Sequence, residues 1–505
     1  MRKNYSAWPC FSLLLALSLF VLPAFAQVQE VWARNYTTSS LEAGEHVKDM
    51  VTEASGNVIV LGTNVNGTVL LKYDVAGTLL WNKPINFDAI KVITDVAGNI
   101  YLIGRISSQF YTAKYNPGGT LLWASPYFIL DGETFPRDIA VDEIGNVYVV
   151  GRISRGNSDE HELEDCVTVK YNSGGDLLWA RPYNGANPSL GYDAGSAVTL
   201  DAFGNIYVAA TSQRDGSRDI ATLKYNPAGT LLWENRYIGP NGEEDEAADI
   251  ALDVFGNVLV TGTSVKIENS TLVYERAVAV KYLFSGFQLW AQTIGGTSGL
   301  RYDAMQIMSD ASGNVLAYGH TYSFPYLVKF NPAGTLLWSH TYPLFGLTSD
   351  AATDGTNAYF IASSGSGTGS STLKIGPGGN TLWTMNYEAA SGTFRIGTDN
   401  LNDVFISSAL TNPASGGSDI ITIRYSQCSI SVPSQVHIPA EPGVCGATVN
   451  FQATTTGNCD NIEYQFGDGT PFYTPGQFLN AGHYHLAAVS PSTGERQLFT
   501  IYVDD

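Results

Sequence analysis

Four aspartates that each stand shortly before an apolar, strand-forming run have the clearest chemical potential in this sequence. They are Asp88, Asp193, Asp245 and Asp303, and Tyr192 and Tyr302 directly precede two of them. Carboxylates around one opening could hold Ca²⁺ through oxygen ligands, or they could bind a sugar that stacks on the tyrosines. Aspartate also caps turns by accepting backbone N–H groups, and we favour this structural interpretation over the two binding ones.

Local catalytic motifs are missing from the chain. It contains no Gly-x-Ser-x-Gly, His-Glu-x-x-His or Gly-x-x-x-x-Gly-Lys pattern, which are the signatures of hydrolases, zinc peptidases and phosphate-binding loops. We therefore expect a protein that is not an enzyme and has no cofactor and no metal, Ca²⁺ being the one ion considered. Paired acids for polysaccharide cleavage stay an alternative, because they can come from distant parts of a chain.

The elements that must position these residues follow from an internal repeat, typified by "KYNPAGTLLW" at 224–233. A tryptophan recurs every 42 to 57 residues, at Trp32, Trp81, Trp123, Trp179, Trp233, Trp290, Trp338 and Trp383. Most units also have a Lys-aromatic pair before a turn, which becomes Lys374-Ile375 in the seventh and Arg424-Tyr425 in the eighth, and an earlier Gly-Asn turn. Between these markers the pattern alternates or runs apolar, which indicates four strands per unit. Units of this length with four strands are typical of β-propeller blades.

The two ends of the repeat array are complementary. The first marker is a lone tryptophan strand (30–36), and the last is a lone basic-aromatic strand (420–426). If they pair, the N-terminal strand completes the last blade and closes the ring, which removes exposed sheet edges. We therefore predict an all-β fold with an eight-bladed β-propeller, seven blades being the alternative, in which each tryptophan packs one blade against the next.

The motif "KYNPAGTLLW", together with Asp-x-x-Gly-Asn turns, resembles the bacterial β-propeller repeats called SBBP repeats over residues 30–426. That resemblance implies an exported modular protein. The tail "CSISVPSQVHIPAEPGVCGATVNFQATTTGNCDNIEY" (428–464) resembles the hyalin-repeat (HYR) domain, a small immunoglobulin-like sandwich, and implies adhesion or spacing. By the pattern of that family Cys445 would pair with Cys459. The predicted organisation is a signal peptide (1–26), a propeller (27–427) and a sandwich (428–505).

The bulk properties agree with export. Arg2 and Lys3 precede an apolar run and "AFA", the pattern of a cleaved secretory signal, and no later segment is typical of a membrane helix. The formal net charge is −20, which disfavours nucleic acid and anionic lipid as partners. We expect a monomer that is secreted, periplasmic or attached to the cell surface.

The long, varied links between strands all fall at one end of the predicted ring, and binding usually resides in such loops. The first hypothesis is a non-catalytic binding or structural protein that recognises a protein or carbohydrate at this loop-rich face, for example in adhesion. The alternative is a secreted propeller enzyme that acts on polysaccharide or uses a quinone. The tryptophan repeats resemble those of quinone-dependent alcohol dehydrogenases, but the adjacent cysteine pair of that family is missing here.

Overall fold

The computed structural model describes residues 28–504 except 38–43, 131, 156–162, 186–190, 215, 241, 270, 297–300, 344–347, 364–368, 389, 401, 412–416, 427, 434, 442–443, 458–461, 467–470, 474–476 and 490–495. The regular secondary structure of this part of the chain consists of strands. Among the described residues we find no helix that is long and apolar enough to cross a membrane.

The strands of the repeat region are β1 (Gln29–Tyr36), β2 (His46–Thr52), β3 (Val58–Asn64), β4 (Gly67–Tyr73), β5 (Leu79–Ile85), β6 (Asp88–Thr94), β7 (Ile100–Ile106), β8 (Gln109–Tyr115), β9 (Leu121–Tyr127), β10 (Gly132–Val141), β11 (Val147–Arg155), β12 (Leu163–Tyr171), β13 (Leu177–Tyr183), β14 (Gly191–Leu200), β15 (Ile206–Arg214), β16 (Ser217–Tyr225), β17 (Leu231–Tyr237), β18 (Glu244–Leu252), β19 (Val258–Glu268), β20 (Thr271–Tyr282), β21 (Gln288–Gly295), β22 (Tyr302–Ser309), β23 (Val315–Thr321), β24 (Pro325–Phe330), β25 (Leu336–Thr341), β26 (Thr348–Thr353), β27 (Ala358–Ser363), β28 (Gly369–Ile375), β29 (Thr381–Glu388), β30 (Ala390–Thr398), β31 (Val404–Thr411) and β32 (Ser418–Ser426). The C-terminal strands are β33 (Cys428–Ser431), β34 (Gln435–Pro439), β35 (Gly446–Val449), β36 (Thr454–Gly457), β37 (Glu463–Phe466), β38 (Pro471–Tyr473), β39 (Gln477–Asn480), β40 (Gly482–Val489) and β41 (Arg496–Asp504).

Strands β2 to β29 pair in consecutive antiparallel groups of four, which we call sheets 1 to 7 (β2–β5, β6–β9, β10–β13, β14–β17, β18–β21, β22–β25 and β26–β29). Sheets 3 and 4 are also joined by a two-residue parallel pairing of β12 with β14. Sheet 8 has the order β1-β32-β31-β30, so that its fourth strand comes from the beginning of the chain. Arg34 lies opposite Thr422 in this antiparallel pair.

Short turns with fixed chemistry connect the first and second strands of the sheets. In sheet 3 the Asp142 carboxylate accepts the backbone N–H of Asn146 at 2.8 Å, and the Gly145 N–H donates to the Asp142 carbonyl oxygen at 2.9 Å. Gly145 has a φ of 84°, a conformation that favours glycine. The same aspartate therefore specifies the turn through both its side chain and its backbone.

The tryptophans connect neighbouring sheets through the next hairpin turn. Trp179 in sheet 3 donates its indole N–H to the carbonyl oxygen of Pro227 in sheet 4 at 3.2 Å, and the Lys170 ammonium donates to the same oxygen at 3.0 Å. Gly229 in that turn has no room for a side chain, because an added Cβ would lie 2.8 Å from the Trp179 ring. Equivalent indole bonds come from Trp32, Trp81, Trp123, Trp233, Trp290 and Trp338.

Trp383 is the exception among the eight tryptophans. Its indole nitrogen is buried, and no hydrogen-bond partner of that nitrogen is found in the described part of the chain. The equivalent hairpin of the next sheet is split between the end of β32 and the start of β1, so no turn supplies a carbonyl there. Trp383 still packs against Tyr425 of β32, with ring centroids 6.4 Å apart.

The positive charge of the buried lysine that precedes the turn is compensated in two ways. In sheet 5 Lys281 and Asp253 form an ion pair at 2.8 Å in which both side chains are almost fully buried. In sheet 3 the corresponding aspartate accepts the Tyr148 hydroxyl at 3.1 Å, and Lys170 lies over the Tyr148 ring, 4.9 Å from its centroid. A tyrosine at this position of the second strand thus replaces the ion pair by a cation–π contact.

Residues after Ser426 build their own set of sheets. A five-stranded sheet has the order β34-β41-β40-β37-β38, and β33-β36 and β35-β39 form two further pairs. Their hydrophobic cluster includes Val449, Leu486 and Ile501, all buried. Cys445 is exposed and has no disulfide partner among the described residues, and Cys459 lies outside those residues. The Cys445–Cys459 pairing stays a prediction from the family resemblance.

Candidate functional site

One large cavity, of about 1120 Å³, is lined by residues from the first strand of every one of the eight sheets. The first strands are β2, β6, β10, β14, β18, β22, β26 and β30. In each of them the pairing with the second strand contains an irregularity. The residue that follows this irregularity lies at an equivalent place in all eight sheets and lines the cavity.

We call these eight residues the belt; in sheet order they are Asp49, Lys91, Asp138, Ala197, Asp249, Gln306, Asp350 and Arg395. Aspartate occupies every odd-numbered sheet. The even-numbered sheets carry a lysine, an alanine, a glutamine and an arginine. The belt therefore alternates between an acid and a second residue, which is a hydrogen-bond donor in three of four cases.

Each belt aspartate connects its own sheet to the next. Its Oδ2 atom accepts a backbone N–H from the residue after the neighbouring belt position, over 2.7–3.0 Å. The acceptors Asp49, Asp138, Asp249 and Asp350 bind the N–H groups of Val92, Val198, Ile307 and Ile396 in that order. These bonds satisfy backbone donors of first strands, most of which lie at the edge of their sheets and have unpaired N–H groups there.

The even-numbered belt residues continue the connection, with one exception. Lys91 forms an ion pair with Asp138, and Arg395 lies 3.3 Å from Asp49. Gln306 donates to Asp350 at 3.0 Å and accepts the Ala351 N–H at 2.7 Å. Ala197 has only a methyl group, so it cannot reach across to sheet 5. The belt is interrupted between Ala197 and Asp249.

Burial and neighbouring charge shift the pKa values of the belt. Burial raises the pKa of Asp249 to about 6, and the negative charge of Asp138 acts in the same direction. Burial also raises the pKa of Asp350 to about 6, although Arg395 opposes the shift. Burial disfavours the charged form of Lys91, yet Asp138 and Asp49 hold the pKa of that ammonium above its ordinary value. The charge of Lys91 opposes the rise in the pKa of Asp249 as well, but no ion pair of Asp249 is found in the described part of the chain.

Toward the loop-rich strand ends the cavity is lined by a second group of charged residues, which we call the mouth: Arg218, Glu244, Glu246, Glu275, Arg301 and Asp303. Arg218 pairs with Glu244 at 2.9 Å and with Glu246 at 2.7 Å. Arg301, which is half-exposed, pairs with the buried Glu275 at 2.5 Å. These residues come from sheets 4, 5 and 6.

A long hairpin overhangs the mouth. Strands β19 and β20 have 11 and 12 residues, whereas most of the corresponding strands have seven to nine. The extension carries Ile267 and Leu272, which are exposed at 53% and 43% and still line the cavity. The mouth thus combines charged groups with an apolar edge, which is typical of a binding site for an amphipathic group.

Two of the four aspartates singled out from the sequence stabilise the segments that connect one sheet to the next. Asp193 is buried and accepts a hydrogen bond from the Ser212 hydroxyl. Asp245 is fully buried and accepts the Gly239 N–H at 2.6 Å, and burial raises the pKa of Asp245 to about 6. Neither lines the cavity. Their geometry is that of turn-capping groups.

The other two aspartates and both tyrosines have separate surroundings. Asp88 is exposed and forms an ion pair with Lys48. Asp303 lines the mouth and lies 3.5 Å from the His320 ring nitrogen. The Arg218 guanidinium lies 5.5 Å from the centroid of Tyr192, and Tyr302 packs on Tyr326 with centroids 5.4 Å apart. Of the six residues, Asp303 is the one that joins the mouth.

Within the described ranges, no group of three or more His, Cys, Asp or Glu side chains is placed to hold a metal ion. The belt and most of the mouth were not among the residues selected from the sequence. A signal for the belt was present, because each repeat has a residue such as Asp49, Lys91 or Asp138 directly before an apolar pair. Alignment of the repeats on their first strands would have found it.

No family model matches the sequence, and no curated protein matches it. Among solved structures, a catalytically inactive virginiamycin B lyase from Staphylococcus aureus with quinupristin is 10% identical, with a TM-score of 0.41 over 65% of this chain and 95% of that chain. The polysaccharide lyase Uly1 is 10% identical, with a TM-score of 0.44 over 75% and 89%. A protein of unknown function from Dyadobacter fermentans is 12% identical, with a TM-score of 0.39 over 80% and 99%. These neighbours have propeller-like folds.

Proposed function

We propose that the chain is an exported, non-catalytic binding protein whose eight sheets are the blades of a closed β-propeller. The shared cavity is then the central channel, and a protein or carbohydrate ligand enters it at the mouth. The observation that carries this proposal is the single cavity to which all eight first strands contribute. Rigid scaffolds with a concave, partly apolar opening and a few charged groups are the usual form of a binding site.

The pairing of β1 with β32 supports the closed ring. It places the Trp32 indole 3.0 Å from the Val75 carbonyl oxygen of sheet 1, and Arg395 of sheet 8 lies beside Asp49 of the same sheet. A chain that starts at residue 37 should melt at a lower temperature, and a peptide of residues 28–37 added in trans should restore much of the loss. An unchanged melting temperature in the shortened chain would argue against closure.

The binding function is tested with the full chain on glycan and protein arrays. The variant pair Ile267→Asp and Leu272→Asp alters the apolar edge of the mouth, and Arg301→Glu reverses one of its charges. Phe203→Asp is the matched control, because Phe203 is 86% exposed in a short turn at the opposite strand ends. We expect the mouth variants to lose binding and the control to retain it. Equal binding by all variants would overturn the placement of the site.

A second function is favoured by the acids that converge from different sheets. An enzyme acting on polysaccharide needs two carboxyl groups that face one cavity, and this cavity is lined by Asp249 and by mouth acids such as Glu275. Release of reducing ends from a polysaccharide panel, lost in Asp249→Asn and in Glu275→Gln, would establish this alternative. Intact polysaccharide after long incubation with the full chain would count against it.

A further inference from the structure

The belt has one place at which its alternation fails. Going around the sheets, every second position is aspartate, and three of the four positions between them carry Lys91, Gln306 or Arg395. Each of these three side chains donates to a neighbouring aspartate. The fourth position is Ala197, whose methyl group lines the cavity between Asp138 and Asp249. A donor side chain is thus replaced by open space at this point only.

The two aspartates that flank this space are not equally compensated. Asp138 has its ion pair with Lys91 and accepts the N–H groups of Ile139 and Val198. Asp249 accepts the Ile307 N–H at 2.9 Å, and the charge of Lys91 also acts on it. The belt position before Asp249 carries only the Ala197 methyl group. A positive group at the Ala197 position would come between Asp138 and Asp249 in the belt, just as Lys91 comes between Asp49 and Asp138. Two carboxylates around one place favour a cation that can also form hydrogen bonds with them, because the hydrogen bonds offset the cost of removing the charges from water.

We propose that the place at Ala197 receives an ammonium group from outside, namely a lysine side chain of a polypeptide ligand that enters through the mouth. This inference rests on the proposed binding function. The mouth acid Glu246 precedes Asp249 by three strand residues, which is about 10 Å at ~3.3 Å per residue. A group that reaches the belt from the mouth therefore needs a long, slim stem, and the apolar edge at Ile267 and Leu272 suits the aliphatic part of such a stem.

A lysine fits this description better than an amino sugar does, because the amine of an amino sugar is attached directly to a bulky ring. The surplus of acids agrees with a cationic ligand. The cavity is lined by eight carboxylates and by five lysine or arginine side chains. The formal charge of −20 for the whole chain would also speed the approach of a basic partner.

The experiment uses Nα-acetyl-lysine amide as the probe and Nα-acetyl-norleucine amide, which has the same stem without the ammonium, as its match. Both are titrated into the full chain by calorimetry. We expect the lysine probe to bind and the norleucine probe to bind at least about tenfold more weakly, which is ~1.4 kcal/mol or more. Asp249→Asn keeps an oxygen that can accept the Ile307 N–H, and it should weaken binding of the lysine probe at least about tenfold. Asp350→Asn, which alters a belt acid beside Arg395, should change the affinity for the lysine probe by less than about threefold.

The variant Ala197→Lys supplies the missing group from the chain itself. It should raise the melting temperature and abolish binding of the lysine probe; if it fails to fold, Ala197→Gln provides the same steric block. Equal binding of the two probes, or unchanged binding in Asp249→Asn, would overturn the inference, as would tight binding of glucosamine with no response to lysine. A partner from the array that depends on the mouth variants but not on Asp249 would leave the proposed function intact and remove this inference alone.

Discussion

The indole nitrogen of Trp179 donates to the carbonyl oxygen of Pro227, 48 residues later and in the next sheet. Trp383 occupies the equivalent position before sheet 8 and has a buried nitrogen for which no partner is found in the described part of the chain. The same residue type at equivalent positions of the repeat is therefore satisfied in one case and unsatisfied in the other.

This contrast predicts different costs for the same substitution. Trp179→Phe removes a hydrogen bond and should lower the free energy of unfolding by about 1 kcal/mol more than Trp383→Phe. Both changes remove a similar volume, so the loss of packing cancels in the comparison. Urea denaturation followed by circular dichroism measures the difference. A larger loss for Trp383→Phe would contradict the assignment of its nitrogen as unsatisfied.

The two ways of compensating the buried lysine lead to a second prediction. Lys281→Met leaves the Asp253 carboxylate buried without its ion-pair partner and should cost about 3–5 kcal/mol of stability. Lys170→Met should cost less than about 1 kcal/mol of stability, because the Asp142 carboxylate still accepts the Tyr148 hydroxyl and the Pro227 carbonyl oxygen still accepts the Trp179 indole N–H. Thermal and urea unfolding of the two variants measure the two losses of stability. Equal losses would show that the cation–π arrangement is no substitute for the ion pair.

Glycines in the turns of sheet 4 provide a third prediction. Gly204 and Gly229 have φ values of 74° and 79°, so alanine should strain the backbone by about 1–2 kcal/mol at either place. At Gly204 the nearest atom to an added Cβ is 3.5 Å away, whereas at Gly229 the Trp179 ring is 2.8 Å away. Gly229→Ala should therefore melt at a lower temperature than Gly204→Ala. Identical melting curves would mean that the tryptophan can move at no cost.

Stability should depend on pH through the buried acids with a pKa of about 6, namely Asp245, Asp249 and Asp350. Their folded pKa lies above the ordinary value of 3.8, so the folded state binds more protons between about pH 4 and 6. The free energy of unfolding therefore falls as the pH rises through that window. Asp249→Asn should flatten this slope in melting curves recorded from pH 4 to 7.

Asp95 is the matched control for that measurement. Hydrogen bonds from Asn99 and Tyr101 outweigh burial and hold the pKa of Asp95 below its ordinary value, so its contribution is present above the unfolded pKa and is lost as the pH falls further. Asp95→Asn should therefore change stability mainly in acid solution, below about pH 4. An identical pH profile for the wild type and Asp249→Asn would contradict the raised pKa of Asp249.

The repeat made much of the architecture predictable. Turn glycines, alternating strands and the regular tryptophans are local signals, and they sufficed to predict an all-β chain of four-stranded units. The sites were harder to predict. Asp193 and Asp245 stand out in the sequence because they lie in variable loops, yet they stabilise those loops. Asp249 has no such local signal, because its place in the belt depends on residues of other sheets that line the same cavity.

The split hairpin of sheet 8 has a consequence for how the molecule is made. Arg424 donates to the carbonyl oxygen of Val75, 349 residues earlier in the chain, and β1 has no strand to pair with until β32 exists. During synthesis the pairing edge of β1 and the side of sheet 1 that contacts Arg424 stay exposed until nearly the whole repeat region has been made. A chain that stops short of residue 418 cannot make this contact. Closure of the proposed ring would therefore require a chain that extends at least through β32.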